Sequence, residues 1–353
     1  VPTETLDELK ARLNKHLGPH TLVTASEMVV PPKFTTGSLS LDVILGGGWP
    51  GNQWSEIIGN ESAGKTAILL KTIAANQRLD PSFTTLWVAG EHFDSDQARA
   101  LGVDNDRVEL VRTQKMELAL ELVIQSAESR AFDCIALDSY PALLPDEEAE
   151  KAMDEFSVAL GAKLFNKFWR KAGAASQRAS DGTERPFIGL IINQFRDKIG
   201  GWSPAGTPQT SPGGHGKDFA YFVRLRLARD EWLTEKWPSI TGGPVKVGQS
   251  IKMTTLKNKA APPQQVAAVD FYFRDAPVRG FRRGDYDLGK EYVRLGIEFG
   301  VIRGTGWYTF DGRKWQGKAA MQADVLAEME LRTDLRAQIL AAAADPRRIF
   351  TEE

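Results

Sequence analysis

The chain of 353 residues contains a single cysteine, Cys134. It lies inside an apolar run and has no partner in the chain, which excludes an internal disulfide. A reducing, cytoplasmic setting is therefore expected. No apolar run reaches about 18 residues, so neither a membrane-spanning helix nor a membrane partner is expected. The opening Val1-Pro2-Thr3-Glu4 lacks the charged-then-apolar layout of a secretory signal. Neither sign of charge is in excess: 44 basic and 46 acidic side chains leave −2. That balance gives no overall attraction to nucleic acid, so any such binding has to come from local basic loops. Internal repeats and low-complexity tracts are also missing. What is left is an ordinary globular composition, 42% hydrophobic and 25% charged, in a length that suits one large core with a smaller appendage.

Gly59-Asn60-Glu61-Ser62-Ala63-Gly64-Lys65-Thr66 fits G-x-x-x-x-G-K-[ST], the loop that wraps nucleotide phosphates. Trp54 to Ile58 reads as the strand before it. Ala67 to Gln77, with Ile68, Leu69 and Ile73 at helical spacing, reads as the helix after it. The glycines let backbone N–H groups turn toward the β-phosphate, and the helix N-terminus adds partial positive charge. Lys65 then reaches the β/γ-phosphates and Thr66 ligates Mg²⁺.

Hydrolysis needs more: a carboxylate on the metal side and a group that activates water. The apolar strand Cys134 to Asp138 ends in the first candidate, Asp138. Glu91 follows the strand Leu86 to Ala89 and is a candidate general base, with helix capping or a solvated surface acid as the competing reading. Asn193 and Gln194 end a further strand, where a neutral amide can sense a γ-phosphate by hydrogen bonding.

Taken in order, Thr5 to Leu17 is an amphipathic helix with a Thr5/Glu8 capping box, a stripe of Leu6, Leu9, Leu13 and Leu17, and a stop at Gly18-Pro19. It must pack on something, either its own domain or a neighbouring subunit. From Phe34 onward strands alternate with helical stretches, an α/β pattern that predicts a mostly parallel sheet covered on both faces. Thr84 to Val88, Ala131 to Asp138 and Phe187 to Gln194 belong to it. Phe219 to Leu227, Gln249 to Leu256 and Val266 to Phe273 are expected to pair antiparallel at its edge. Asp154 to Gln177 reads as a long helix with Phe156, Leu160, Leu164 and Phe168 on one side. Beyond about Phe281 a helix, a hairpin around Asp311-Gly312 and two Ala- and Leu-rich helices suggest a small separate α/β domain. The expected division is 1–33, 34–280 and 281–353.

Between Gln194 and His215 lies a loop of about twenty residues without pattern, and such loops are usually functional or disordered. Its cations, small residues and Trp202 suit a grip on a phosphate backbone with contacts to bases; a solvated loop is the equal alternative. Lys257 and Lys259 share one face of a strand and by themselves read as a solvated edge.

In order and spacing these segments resemble the bacterial RecA recombinase family. Thr36-Gly37-Ser38-Leu39-Ser40-Leu41-Asp42 leads into the phosphate loop. Then come Glu91-His92, Ala136-Leu137-Asp138-Ser139, Ile191-Ile192-Asn193-Gln194-Phe195-Arg196 and Leu256-Lys257-Asn258-Lys259-Ala260-Ala261-Pro262. The likeness runs from about residue 5 to about 320. It implies a RecA-like P-loop ATPase core with an N-terminal helical arm, and a filament of protomers on single-stranded DNA with ATP at each interface. Such a filament pairs with homologous duplex and exchanges strands. By resemblance, Gly59 to Thr66 hold ATP, Thr66 and Asp138 hold Mg²⁺, and Glu91 activates water. Gln194 senses the γ-phosphate, and Lys257 and Lys259 reach the neighbour's ATP. Asp94, Gln97 and Phe273 fall at nucleotide-contacting positions. The family's DNA loops map onto Asp146 to Val158 and Phe195 to His215. Lys163, Arg170, Arg196, Lys198, Ile199, Gly213 and Gly214 are implied to face DNA. Trp202 and His215 join them as residues of the second loop, Trp202 being one of its departures, and the Thr5 to Leu17 helix resembles the arm that docks on the next protomer.

The departures are specific. Gln97 replaces an aromatic expected against adenine, and Phe273 takes the second such position. Asp218 stands where a lysine is expected, the second loop carries Pro204, Pro208 and Pro212, and the sequence closes on Phe350-Thr351-Glu352-Glu353 without an acidic tail. They mark a divergent member, compatible with a phage source. A non-exchanging mediator or regulatory ATPase is the alternative; a hexameric helicase is disfavoured by the two-lysine strand.

Overall fold

The computed structural model describes residues 4–18, 21–150, 160–177, 184–197, 209–214, 216–237 and 242–345. The helices are α1 (Leu6–Leu17), α2 (Leu39–Ile44), α3 (Lys65–Leu79), α4 (Ser95–Ala100), α5 (Met116–Ser129) and α6 (Asp146–Ala149). They continue with α7 (Leu160–Gln177), α8 (Gly216–Ala220), α9 (Leu288–Glu298), α10 (Gly317–Ala327) and α11 (Met329–Ala344). The main sheet contains β1 (Gln53–Gly59), β2 (Thr85–Ala89), β3 (Val108–Arg112), β4 (Cys134–Asp138) and β5 (Ile188–Gln194), followed by β6 (Val223–Glu235), β7 (Val245–Asn258) and β8 (Val266–Tyr272). A separate hairpin pairs β9 (Trp307–Phe310) with β10 (Arg313–Gln316).

The eight strands lie in the order β8-β7-β6-β1-β5-β4-β2-β3. Pairing is parallel from β6 through β3 and antiparallel among β6, β7 and β8. The central strands are apolar on both faces because both faces are covered, as a parallel sheet requires. On one face Ile57, Leu190 and Leu225 meet Ile68, Leu69 and Ile73 of α3. On the other, Trp54 meets Phe168, Trp169 and Phe187 with ring centres 5.4 to 6.2 Å apart. Gly189 makes room for that indole: a Cβ there would lie 2.1 Å from the ring. The consequence for chemistry is positional. Gly59, Ala89, Asp138 and Gln194 all terminate parallel strands at the same edge of the sheet, where ligands of open α/β sheets bind.

One sequence expectation needs correction, and one strand was missed. Phe219 to Leu227 is not one strand: Gly216–Ala220 is a turn of helix, and pairing with β1 starts at Val223. Arg224 reaches back to the Asp218 carboxylate at 2.7 Å and so ties down the preceding turn. Strand β3, a parallel edge strand with exposed Leu110, was not anticipated; its burial follows no clean alternation. Residues 151–159, which hold most of the expected first DNA loop and the start of the helix expected from Asp154, lie outside the described residues.

Helix α1 begins with the expected capping box. None of its residues is buried, and Leu6 and Leu17 are exposed. Its contacts run to the following segment, where Lys10 donates to Thr24 and Asn14 pairs with the Leu22 backbone. At the other end, α9, α10, α11 and the hairpin share a core of Tyr292, Val293, Tyr308, Trp315, Met321 and Leu335, which Leu39 of α2 also enters. Ser38 Oγ donates to the buried Glu291 carboxylate at 2.5 Å and the Ser40 amide donates to it at 2.8 Å. Arg336 reaches Asp42 at 2.7 Å. Among the described residues, no helix is long and apolar enough to cross a membrane.

Candidate functional site

The turn between β1 and α3 takes two left-handed backbone positions, Ser62 at φ 57° and Gly64 at φ 93°. Glycine at 64 meets the left-handed backbone without strain, and a Cβ there would lie 2.6 Å from the end of the Ile251 side chain, which would have to shift. The loop thus closes over the start of α3 as a cup of backbone amides at a helix N-terminus, an anion-binding arrangement. Lys65 is nearly buried, and its ammonium donates to the carbonyls of Gly59 and Asn60 at 3.1 and 2.8 Å. Burial pulls its pKa below the usual lysine value, against the opposing charges of Asp138, Glu91 and Glu61.

Thr66 Oγ1 donates to Asp138 Oδ2 at 2.9 Å, so the hydroxyl and carboxylate expected at the metal are adjacent. Burial raises Asp138 to about 6, with a further push from Glu91 and partial relief from Thr66 and Lys65. Among the described residues, no cluster of three His, Cys, Asp or Glu side chains forms a metal cage. One hydroxyl and one carboxylate beside a phosphate cup suit Mg²⁺, which keeps its remaining ligands as water and phosphate.

The backbone places Glu91 next to this pair, since the Glu91 amide donates to the Asp138 carbonyl at 3.1 Å. Its Oε1 accepts from Ser139 Oγ and, at 3.4 Å, from Gln194 Nε2. This separates the two amides that end β5. Asn193 is buried and donates to Glu56 at 2.8 Å, whereas Gln194 joins Glu91 in the cleft. Glu61, Ser62, Gly64, Lys65, Thr66, Glu91, Gln97, Asp138 and Gln194 all line one cleft of about 470 Å³, and Phe273 lines it from β8's end. Asp94 is outside that lining; its carboxylate caps α4 by accepting from the Asp96 and Gln97 amides at 2.9 Å.

Lys257 and Lys259 do not line the cleft either. Lys257 Nζ donates to the Asp218 and Phe219 carbonyls at 2.5 and 3.2 Å, and Lys259 reaches the latter at 3.4 Å. Burial, and repulsion from Lys259 and Arg224, lower the Lys257 pKa. Phe219 beside them is 80% exposed. A sequence model of the RecA N-terminal domain matches residues 5–276. The chain belongs to the RecA family. Curated relatives named Protein RecA cover nearly the whole length. The one from Frankia casuarinae is 33% identical over 95% of this chain and 92% of its own. That from Saccharopolyspora erythraea is 33% identical over 97% and 96%, and that from Cytophaga hutchinsonii 32% over 96% and 92%.

In this RecA family member, Lys163 and Arg170 are exposed on α7, and Arg196 is exposed just beyond Gln194. The backbone at Arg196 and Asp197 pairs with Thr210 and Gln209, closing the base of the second loop. Gly213 and Gly214 have φ of 108° and 69°, and a Cβ on Gly213 would lie 2.6 Å from Phe165 of α7. The glycine pair therefore seats the loop's return on the helix that carries Lys163 and Arg170. Lys198, Ile199, Trp202 and His215 lie outside the described residues.

Three residues at or beside the cleft were not singled out in the sequence. Ser139, which holds Glu91, could have been found from its position directly after Asp138. Gln249 donates to the Ser62 carbonyl at 3.2 Å, and Trp232 opposite it lines the cleft. No local motif marks either, because their place depends on antiparallel register.

Proposed function

We propose that this RecA family protein is a Mg²⁺-dependent, DNA-dependent ATPase that forms filaments on single-stranded DNA and pairs them with homologous duplex for strand exchange. The observation that carries the reading is the hydrogen bond from Gln194 to Glu91. It joins the last residue before the second loop to the carboxylate best placed to activate water. Binding of DNA by that loop would shift Gln194 and with it the orientation of Glu91.

The chemistry divides among few residues. The loop amides and Lys65 bind the β- and γ-phosphates, with Lys65 released from the Gly59 and Asn60 carbonyls. Thr66 and Asp138 hold the metal side, where Mg²⁺, when bound, supplies charge neutralisation across the phosphates. Glu91, aimed by Ser139 and Gln194, takes a proton from water in line with the γ-phosphorus. Lys257 and Lys259, with exposed Phe219, form a surface suited to a neighbouring protomer's cleft, and exposed α1 supplies a second docking element.

The test is ATP hydrolysis measured with and without single-stranded DNA, at protein concentrations spanning assembly. The expected rate rises with both. A rate indifferent to both would favour a non-exchanging regulatory ATPase. A pH dependence follows from Asp138. Its carboxyl titrates near 6 instead of near 3.8, so it is ionised and ready for metal above that pH and protonated below it. Mg²⁺-nucleotide affinity is expected to weaken as pH falls through about 6, with a proton released on binding there. Calorimetry in buffers of different ionisation enthalpy measures that proton, and its absence in wild type would remove Asp138 from the metal side.

A further inference from the structure

The cleft has two dissimilar walls. On one side of β1, strands β5, β4 and β2 bring Gln194, Asp138 and Glu91. On the other side, β6, β7 and the end of β8 bring Trp232, Gln249, Phe271 and Phe273. The first wall is polar and holds the reacting groups. The second is aromatic, and no step of the hydrolysis uses it.

Resting on the nucleotide reading above, we propose that Trp232 is a base-contacting, specificity-determining residue of this site: with Phe273 it forms the aromatic corner that receives the purine of the bound nucleotide. The two rings meet edge to face, 6.1 Å between centres and 88° between planes. Two rings at right angles present a corner, and a flat base can lie along one while meeting the edge of the other. Gln97, on the polar side, offers an amide and no ring, so stacking has to come from the β6–β8 side.

The ring is held in place. Arg229 lies 3.9 Å and Lys246 4.4 Å from its centre, cation–π contacts that fix the indole while it stays 37% exposed. The β6–β7 register shifts between Arg229 and Glu231, and such a bulge re-aims the side chains that follow. After the shift Trp232 stands opposite Gln249, which grips the phosphate loop through the Ser62 carbonyl. One cross-strand pair thereby sets the distance between the base corner and the phosphate cup.

The test uses the full chain with Mg²⁺ and two probes, ATP and inorganic tripolyphosphate, which has the phosphates without a base. Base–aromatic stacking predicts that Trp232→Ala weakens ATP binding on the order of tenfold or more. Tripolyphosphate binding is expected to stay at the wild-type level, and Trp232→Phe to recover most of the ATP affinity. Unchanged ATP affinity in Trp232→Ala overturns the proposal. So does a parallel loss of tripolyphosphate binding, which would mean that Trp232 only supports the fold. Should wild type bind neither probe, the nucleotide reading itself falls, an outcome separate from the other two.

Discussion

Replacing Glu91 by glutamine is expected to slow ATP hydrolysis by about 10²- to 10⁴-fold, the usual share of a general base, while nucleotide binding stays near wild type. The substitution keeps the side chain's length and its ability to accept from Ser139 and Gln194, so the site stays assembled. What it removes is the capacity to take a proton. Single-turnover hydrolysis read beside equilibrium binding of ATP separates the two effects. A variant that hydrolyses within about tenfold of wild type would leave Glu91 as an anchor for Gln194 and move the base elsewhere.

The second large effect concerns Lys257. In a lone protomer its ammonium rests on the Asp218 and Phe219 carbonyls, away from the cleft it is proposed to serve. Lys257→Ala is expected to lower DNA-stimulated hydrolysis on the order of 10²-fold, the cost of removing one donor aimed at developing charge. Nucleotide binding by dilute protein should barely change. Mixing supplies the sharper measurement. An interface built from the intact Glu91 of a Lys257→Ala protomer and the intact Lys257 of a Glu91→Gln protomer is complete. Two inactive proteins should therefore recover part of the wild-type rate when combined on DNA. Co-assembly without recovery would show that the two residues do not serve one site.

Local signals carried much of this chain. The strand, turn and helix around Gly59 to Thr66 were readable because glycine spacing, a lysine and flanking elements are contiguous, and the hairpin around Asp311-Gly312 formed where expected for the same reason. Strand ends were readable too: Asp138 and Gln194 finish apolar runs, and the parallel sheet brings such ends together. Non-local geometry was hidden. The turn of helix before Val223 depends on Arg224 meeting Asp218 and Glu56, an ion network that periodicity does not register. Trp232 and Gln249 enter the cleft only through an irregular antiparallel register. Asp94, placed at the nucleotide by resemblance, accepts from the Asp96 and Gln97 amides and so caps its own helix, a local role that its position before α4 makes readable. Lys257 and Lys259 look like solvated edge charges by residue type, and their carbonyl partners come from a segment some forty positions earlier.

The short helix α2, with its C-cap Leu45, belongs to two hydrophobic cores at once: Leu41, Ile44 and Leu45 enter the core under the sheet, and Leu39 enters that of the carboxyl-terminal unit. Glu291 and Arg336 latch onto the same few residues through Ser38, Ser40 and Asp42. The appendage is therefore not a detachable module. Cutting the chain near residue 281 would bare an apolar helix face and leave the buried Asp42 carboxylate without its guanidinium. It would do so on the segment immediately preceding the strand that carries the phosphate loop. Anyone seeking a minimal version of this protein should expect to redesign α2 before removing anything that follows it.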